Sequence, residues 1–123
     1  DEISGALGDI IAGAQQIGDV KLITRSFTDT DIDQLRNICD AVKAESDHTA
    51  MVFAAVNGGK VTFIAALTED LVGAGYHAGK IIKEVASVAG GGGGGKANMA
   101  QAGAKDPGKV DEALAKAAEV IAK

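Results

Sequence analysis

Two apolar runs, residues 49–57 (Thr-Ala-Met-Val-Phe-Ala-Ala-Val-Asn) and 60–67 (Lys-Val-Thr-Phe-Ile-Ala-Ala-Leu), are joined only by Gly58-Gly59. Asn57-Gly58 supplies the positive φ of a tight turn, so the two runs read as a β-hairpin. Neither run alternates between apolar and polar residues. Both faces of the hairpin must therefore be covered, and helices are the elements available to cover them. That one feature excludes an open antiparallel sheet with a wet face and points to a layered α/β or α+β domain.

The flanking segments fit this frame. Residues 20–27 are short, β-rich and bounded by turn residues, and read as a strand. Thr30 is the expected N-cap of a helix over 31–45, with Asp31 and Asp33 in its first turn and Ile32, Leu35, Ile38 and Val42 inward. Cys39 adjoins that apolar face and reads as a buried small hydrophobe. A helix over 76–89 turns Ile81, Ile82, Val85 and Val88 inward, with His77, Lys80 and Lys83 on the opposite side. Residues 99–103 read as extended. Asp106-Pro107 caps a last helix over 108–122 with Val110, Leu114, Ala117 and Ile121 inward. At the other end, Ile3, Leu7, Ile10, Ala14 and Ile17 are spaced 4, 3, 4 and 3 apart, as in a heptad seam that packs on a partner helix. Gly18 is expected to end that helix. The division that follows is 1–18, the end of a helical linker, and 19–123, the globular domain. The order is α-β-α-β-β-α-(β)-α, a small mixed sheet with a central hairpin.

With 123 residues the chain is one ordinary domain, and it opens on Asp1, as a piece of a longer protein would. No leader is expected, and no apolar run comes near the roughly 20 residues that span a bilayer. The lone Cys39 excludes an internal disulfide and suits a reducing compartment, so a cytoplasmic location and no membrane partner are expected. The net charge is -5. Residues 1–62 hold ten acids and five bases, and residues 63–123 seven of each. Between His77 and Lys109, however, Lys80, Lys83, Lys96, Lys105 and Lys109 face only Glu84 and Asp106, a local balance of +3. This basic stretch surrounds six consecutive glycines: Gly90, Gly91, Gly92, Gly93, Gly94 and Gly95.

Six glycines are costly to order. Two readings compete: a disordered linker, or a backbone that approaches something too closely for any Cβ. The run sits between two well-patterned helices and lacks the serines of a tether, which favours close approach. The formal G-x-x-x-x-G-K match at Gly90–Lys96 is not a P-loop: Ala97 stands where Ser or Thr must hold Mg²⁺, and a helix precedes it. His48 and His77 lie 29 residues apart with no metal-ligand pairing, so no metal and no cofactor are expected. Asp29, Asp31 and Asp33 are explained by helix-start electrostatics, and no nucleophile motif is present. Catalysis by this chain is not expected.

The segment from Gly90 to Gly103, six glycines followed by Lys-Ala-Asn-Met-Ala-Gln-Ala-Gly, closely resembles the C-terminal domain of bacterial alanyl-tRNA synthetase, within the DHH-associated domain family. The resemblance continues through Asp106-Pro107 and Asp111-Glu112-Ala113-Leu114, and more weakly upstream through Ala78-Gly79-Lys80. The phosphoesterase branch of that family typically has a histidine after its glycines; Lys96 here favours the synthetase branch. Two departures stand out: Lys96 where Arg is common, and Ala104 where Gly is common. The resemblance implies a non-catalytic module that grips the elbow of an alanine-accepting tRNA and assists the aminoacylation and editing domains of a parent ligase. It also implies dimerisation in some members. On this reading the RNA-binding residues are the six glycines with Lys96, Asn98, Met99, Gln101, Gly103, His77, Lys80 and Lys83, and the seam from Ile3 to Ile17 is an interface. Met99 and Gln101 would offer an apolar surface and an amide to a base. The alternatives are a protein-interaction or dimerisation module, and the substrate-binding domain of a DHH-type phosphoesterase.

Overall fold

The computed structural model describes residues 12–28 and 30–122. A six-stranded mixed sheet forms the middle layer: β1 (Gln15–Ile17), β2 (Val20–Thr28), β3 (Thr49–Asn57), β4 (Lys60–Leu67), β5 (Gly92–Gly95) and β6 (Met99–Ala104). Their spatial order is β1-β2-β3-β4-β6-β5, with β2 and β3 parallel and every other pair antiparallel. Four helices flank it: α1 (Ile32–Glu45), α2 (Glu69–Gly73), α3 (Ala78–Val88) and α4 (Val110–Ala122). None of the described helices is long and apolar enough to cross a membrane.

The central hairpin forms as its sequence requires. Gly58 and Gly59 take φ of 57° and 90°, and Asn57 pairs with Lys60. The positive φ thus falls on the two glycines, with Asn57 closing the ladder. Met51, Phe53, Ala55, Ile64 and Ala66 are buried on one face under Leu35, Ile38, Cys39 and Val42 of α1. Val52, Ala54, Val61, Phe63 and Ala65 are buried on the other under Ile81, Ile82 and Val85 of α3 and Val110, Ala113, Leu114 and Ala117 of α4. Each of the Val, Leu, Ile, Phe and Met side chains among them contributes roughly 1.5–3 kcal/mol by leaving water. Cys39 is fully buried, and burial pushes its thiol up to about 12.

Several boundaries differ from expectation. Ala12 is helical and Gly13 begins a turn, and Gln15–Ile17 is a strand hydrogen-bonded to β2 through a turn at Gly18 (φ 60°). In an extended segment, residues three apart face opposite ways. Ala14 accordingly packs on the α1-side core and Ile17 on the α3/α4 side, so these two do not share a seam. Ile3, Leu7 and Ile10 lie outside the described residues. The cap of α1 is Asp31 and not Thr30: its side chain accepts from the Gln34 N–H (2.9 Å), and Gln34 Oε1 accepts from the Asp31 N–H (3.0 Å), a complete capping box. The third helix begins at Ala78, and Val88 is half-buried. Asp106 caps a 3-10 turn, Pro107–Lys109, that leads into α4.

Candidate nucleic-acid interface

The glycine run is ordered against the domain as an edge strand. Gly92 pairs with Gly103, Gly93 with Ala102, Gly94 with Gln101 and Gly95 with Ala100. Alternation then gives the two sets of glycines different surroundings. A Cβ on Gly91 would lie 2.8 Å or less from Gly103 and Ala104 backbone. One on Gly93 would lie 2.6 Å from Ala102 Cα, and one on Gly95 would lie 2.7 Å from Ala100 Cα. The close approach expected from the sequence is therefore made, at these three positions, to the chain's own β6. Gly92, Gly94 and Gly103 instead have open space where a Cβ would be. They share the sheet face that carries Met99 and Gln101, and α1 does not cover it there.

The β5–β6 turn is held from three sides. The Ala78 N–H at the start of α3 donates to the Ala97 carbonyl (2.8 Å), and the Lys96 N–H donates to the Met99 carbonyl (2.9 Å). The Asn98 carbonyl accepts from the Leu67 N–H (3.0 Å) and from Lys43 Nζ (3.5 Å). Gly79 lets the turn come close: a Cβ there would sit 3.0 Å from the Gly95 carbonyl oxygen and 2.8 Å from His77 Cε1. His77 precedes α3 with its ring over Gly79, and its buried Nδ1 has no partner among the described residues.

Between this hairpin and α1 lies an open groove of about 540 Å³, floored by Gly94, Met99, Ala100 and Gln101. Its α1 wall is Arg36, Asp40 and Lys43, and its far rim is Gly95, Lys96 and Asn98. Three cations oppose one carboxylate. Arg36 Nη2 and Nε both face the end of the Gln101 carboxamide; two donors there assign its oxygen to that side, where it accepts from Nη2 and, at 3.0 Å, from Nε.

Of the residues assigned to RNA binding by sequence, Gly94, Gly95, Lys96, Asn98, Met99 and Gln101 line this groove, while Gly92 and Gly103 line a separate recess farther along the hairpin, beside Thr62. Gly91 and Gly93 are turned to β6, and Gly90 makes the bend out of α3 with φ 76°. Lys80 and Lys83 are exposed on α3, the helix on the opposite face of the sheet. The structure does not bring them into the groove, because the helix that carries them covers the Ala100–Ala102–Ala104 side of β6. Arg36, Asp40 and Lys43 were missed. Their i, i+4, i+7 spacing puts them on one stripe of α1, a readable pattern, but the sequence gives no sign of what that stripe faces.

A second polar cluster forms at the other end of the sheet. Asp47, His48 and Asp70 bring ligand-type atoms within 4.8 Å of one another. Asp70 Oδ2 accepts from the His48 N–H (2.9 Å) and lies 3.1 Å from His48 Nδ1; Oδ1 accepts from the Leu71 N–H (2.8 Å) and from the Thr68 hydroxyl. The Thr68 hydrogen bond leads in holding the Asp70 carboxyl below the usual range. This network pins His48 in a left-handed conformation (φ 49°) at the start of β3.

Comparison with known proteins follows the same residues. Alanine–tRNA ligase from Acetivibrio thermocellus is 46% identical over 119 residues, which cover 97% of this chain and 14% of the ligase. The Geobacillus thermodenitrificans ligase is 52% identical over 100 residues, 81% of this chain and 11% of the ligase. The chain thus spans about a seventh or less of these relatives. The crystal structure of the C-Ala domain of Aquifex aeolicus alanyl-tRNA synthetase superimposes with a TM-score of 0.83 at 29% identity, covering 89% of this chain and 98% of that domain. RecJ from Thermus thermophilus shares the fold alone, with a TM-score of 0.58 at 12% identity over 98% of this chain and 17% of RecJ. The model of the DHHA1 domain matches residues 19–123. With its sheet, glycine hairpin and terminal helix all inside that match, the chain belongs to the DHHA1 domain family.

Proposed function

We propose that this chain is the tRNA-binding accessory module of a cytoplasmic alanine–tRNA ligase, and that it grips the elbow of the tRNA while other domains of the parent carry out aminoacylation and editing. The observation that carries this reading is the groove beside the glycine hairpin. Its floor has no Cβ at Gly94 and an apolar side chain at Met99, and cations stand on both sides at Arg36, Lys43 and Lys96. A floor of bare backbone accepts a flat base surface at van der Waals distance, which a row of side chains would block. The flanking cations neutralise phosphates on either side of that base. The ligase relatives and the C-Ala structure support the parent enzyme; the shared elbow of tRNAs supplies the exposed bases that such a floor suits.

Filter binding with a tRNA transcript tests the proposal. The parent chain should retain the transcript. Lys96→Ala should weaken it by about three- to tenfold, the loss of one phosphate contact. A parent chain that fails to retain any tRNA would remove the reading.

A further inference from the structure

We propose that Arg36 of α1 sets the chemistry of the groove by locking the Gln101 carboxamide as a donor, so that the floor selects hydrogen-bond acceptors on the RNA. This rests on the RNA-binding reading above and names what that site reads. A free glutamine is ambivalent: its oxygen accepts and its nitrogen donates, and rotation about the terminal bond exchanges them. Here the oxygen is occupied by two guanidinium donors, Nε and Nη2 of Arg36. The planar fork engages that oxygen twice, which a lysine cannot do. Rotation would turn the amide N–H groups onto the guanidinium donors and is therefore opposed. The N–H groups of Gln101 then point away from Arg36, and the residue is half-buried on the groove floor.

The consequence is selective. An amide that offers both an acceptor and a donor pairs with the N6/N7 edge of adenine. With its oxygen consumed, Gln101 retains only donors. It then fits an edge that presents acceptors, such as guanine O6/N7 or a uracil carbonyl, or a non-bridging phosphate oxygen. Asp40, on the same wall, is the complementary acceptor for exocyclic amino groups and keeps the groove from being a plain anion trap. Arg36 acts through Gln101 and is a positioning residue.

The test compares tRNA binding by the 123-residue chain with Gln101→Met, Arg36→Met and the double variant, with thermal melts confirming that each is folded. Gln101→Met should weaken binding by about three- to tenfold, the value of one or two neutral hydrogen bonds. In the Arg36→Met background the further change at Gln101 should cost less than it does in the parent, because a freely rotating amide must be fixed before its N–H groups meet an acceptor. Gln101→Glu should keep the contact to Arg36 and melt no lower than the parent, yet bind tRNA no better than Gln101→Met. Transcripts made with 7-deazaguanine, 6-thioguanine and 4-thiouracil weaken base-edge acceptors, and phosphorothioate transcripts weaken phosphate oxygens. The substitution that closes the gap between the parent and Gln101→Met identifies the source. Equal binding by parent and Gln101→Met, strictly additive losses at Arg36 and Gln101, or a gap that survives both kinds of transcript would overturn the inference. In each of these outcomes the parent still binds tRNA; only loss of binding by the parent itself would speak against the wider reading.

Discussion

Gly93 and Gly92 are adjacent, chemically identical and opposite in role. A Cβ at Gly93 would lie 2.4 Å from the Gln101 carbonyl oxygen and 2.6 Å from Ala102, so Gly93→Val forces β5 off β6. We expect it to lower the unfolding free energy by about 2–3 kcal/mol or more, read as a drop in melting temperature. The close approach expected of the glycine run is made at this position to β6, within the fold itself. Gly92→Val meets no atom within 4 Å. It should melt within about 1 kcal/mol of the parent and still bind tRNA several-fold more weakly on the proposed function, because its side chain would stand on the open sheet face beside the groove. Cys39 gives a second residue-level expectation. Its thiol ionises near 9.0 in the unfolded chain and near 12 when folded. Between those values the unfolded state holds fewer protons, so this contribution falls as pH rises from about 9 towards 12. Against Cys39→Ala, which lacks the group, the parent should lose roughly 2–3 kcal/mol more between pH 8 and pH 11, measured by denaturant melts at each pH.

Among elements, legibility followed the side chains. The 49–67 hairpin was readable because β-rich apolar runs and an Asn-Gly turn agree on one structure. Helices α1, α3 and α4 were readable because their inward residues recur at helical spacing. β5 was not, since strand signals reside in side chains and four glycines carry none. What makes Gly92–Gly95 a strand is tertiary: Ala100, Ala102 and the α3 N-terminus leave room for a backbone and little else. β1 was misread as helix because the 3, 7, 10, 14, 17 spacing continues past Gly13, where the backbone turns and then extends. The Arg36–Asp40–Lys43 wall was visible as a stripe and invisible as a wall, because its partner hairpin lies some 55 residues away, as the Lys43–Asn98 contact spans. The register of that wall depends on where α1 starts. Asp31→Ala removes the side-chain half of the capping box and should cost about 1 kcal/mol in a thermal melt, with a smaller effect on tRNA affinity.

At the scale of the molecule, a net charge of -5 opposes RNA at long range, while three cations gather at one groove. Attraction is local and steering weak. With about two to four phosphates neutralised, log affinity should fall against log salt with a slope of magnitude about 1.5 to 3.5, shallow for a nucleic-acid protein. On the proposed function, the groove floor and the Gln101 amide would read features that many tRNAs share, so the isolated chain should discriminate poorly between tRNA identities. The direct test of the central claim is the affinity of this chain for three RNAs at one salt concentration: intact tRNA, tRNA whose D-loop/T-loop contact is disrupted, and an acceptor-stem minihelix. We expect intact tRNA to bind at least about tenfold more tightly than either of the others, as recognition of a folded elbow requires. A minihelix that binds as tightly as intact tRNA would contradict it.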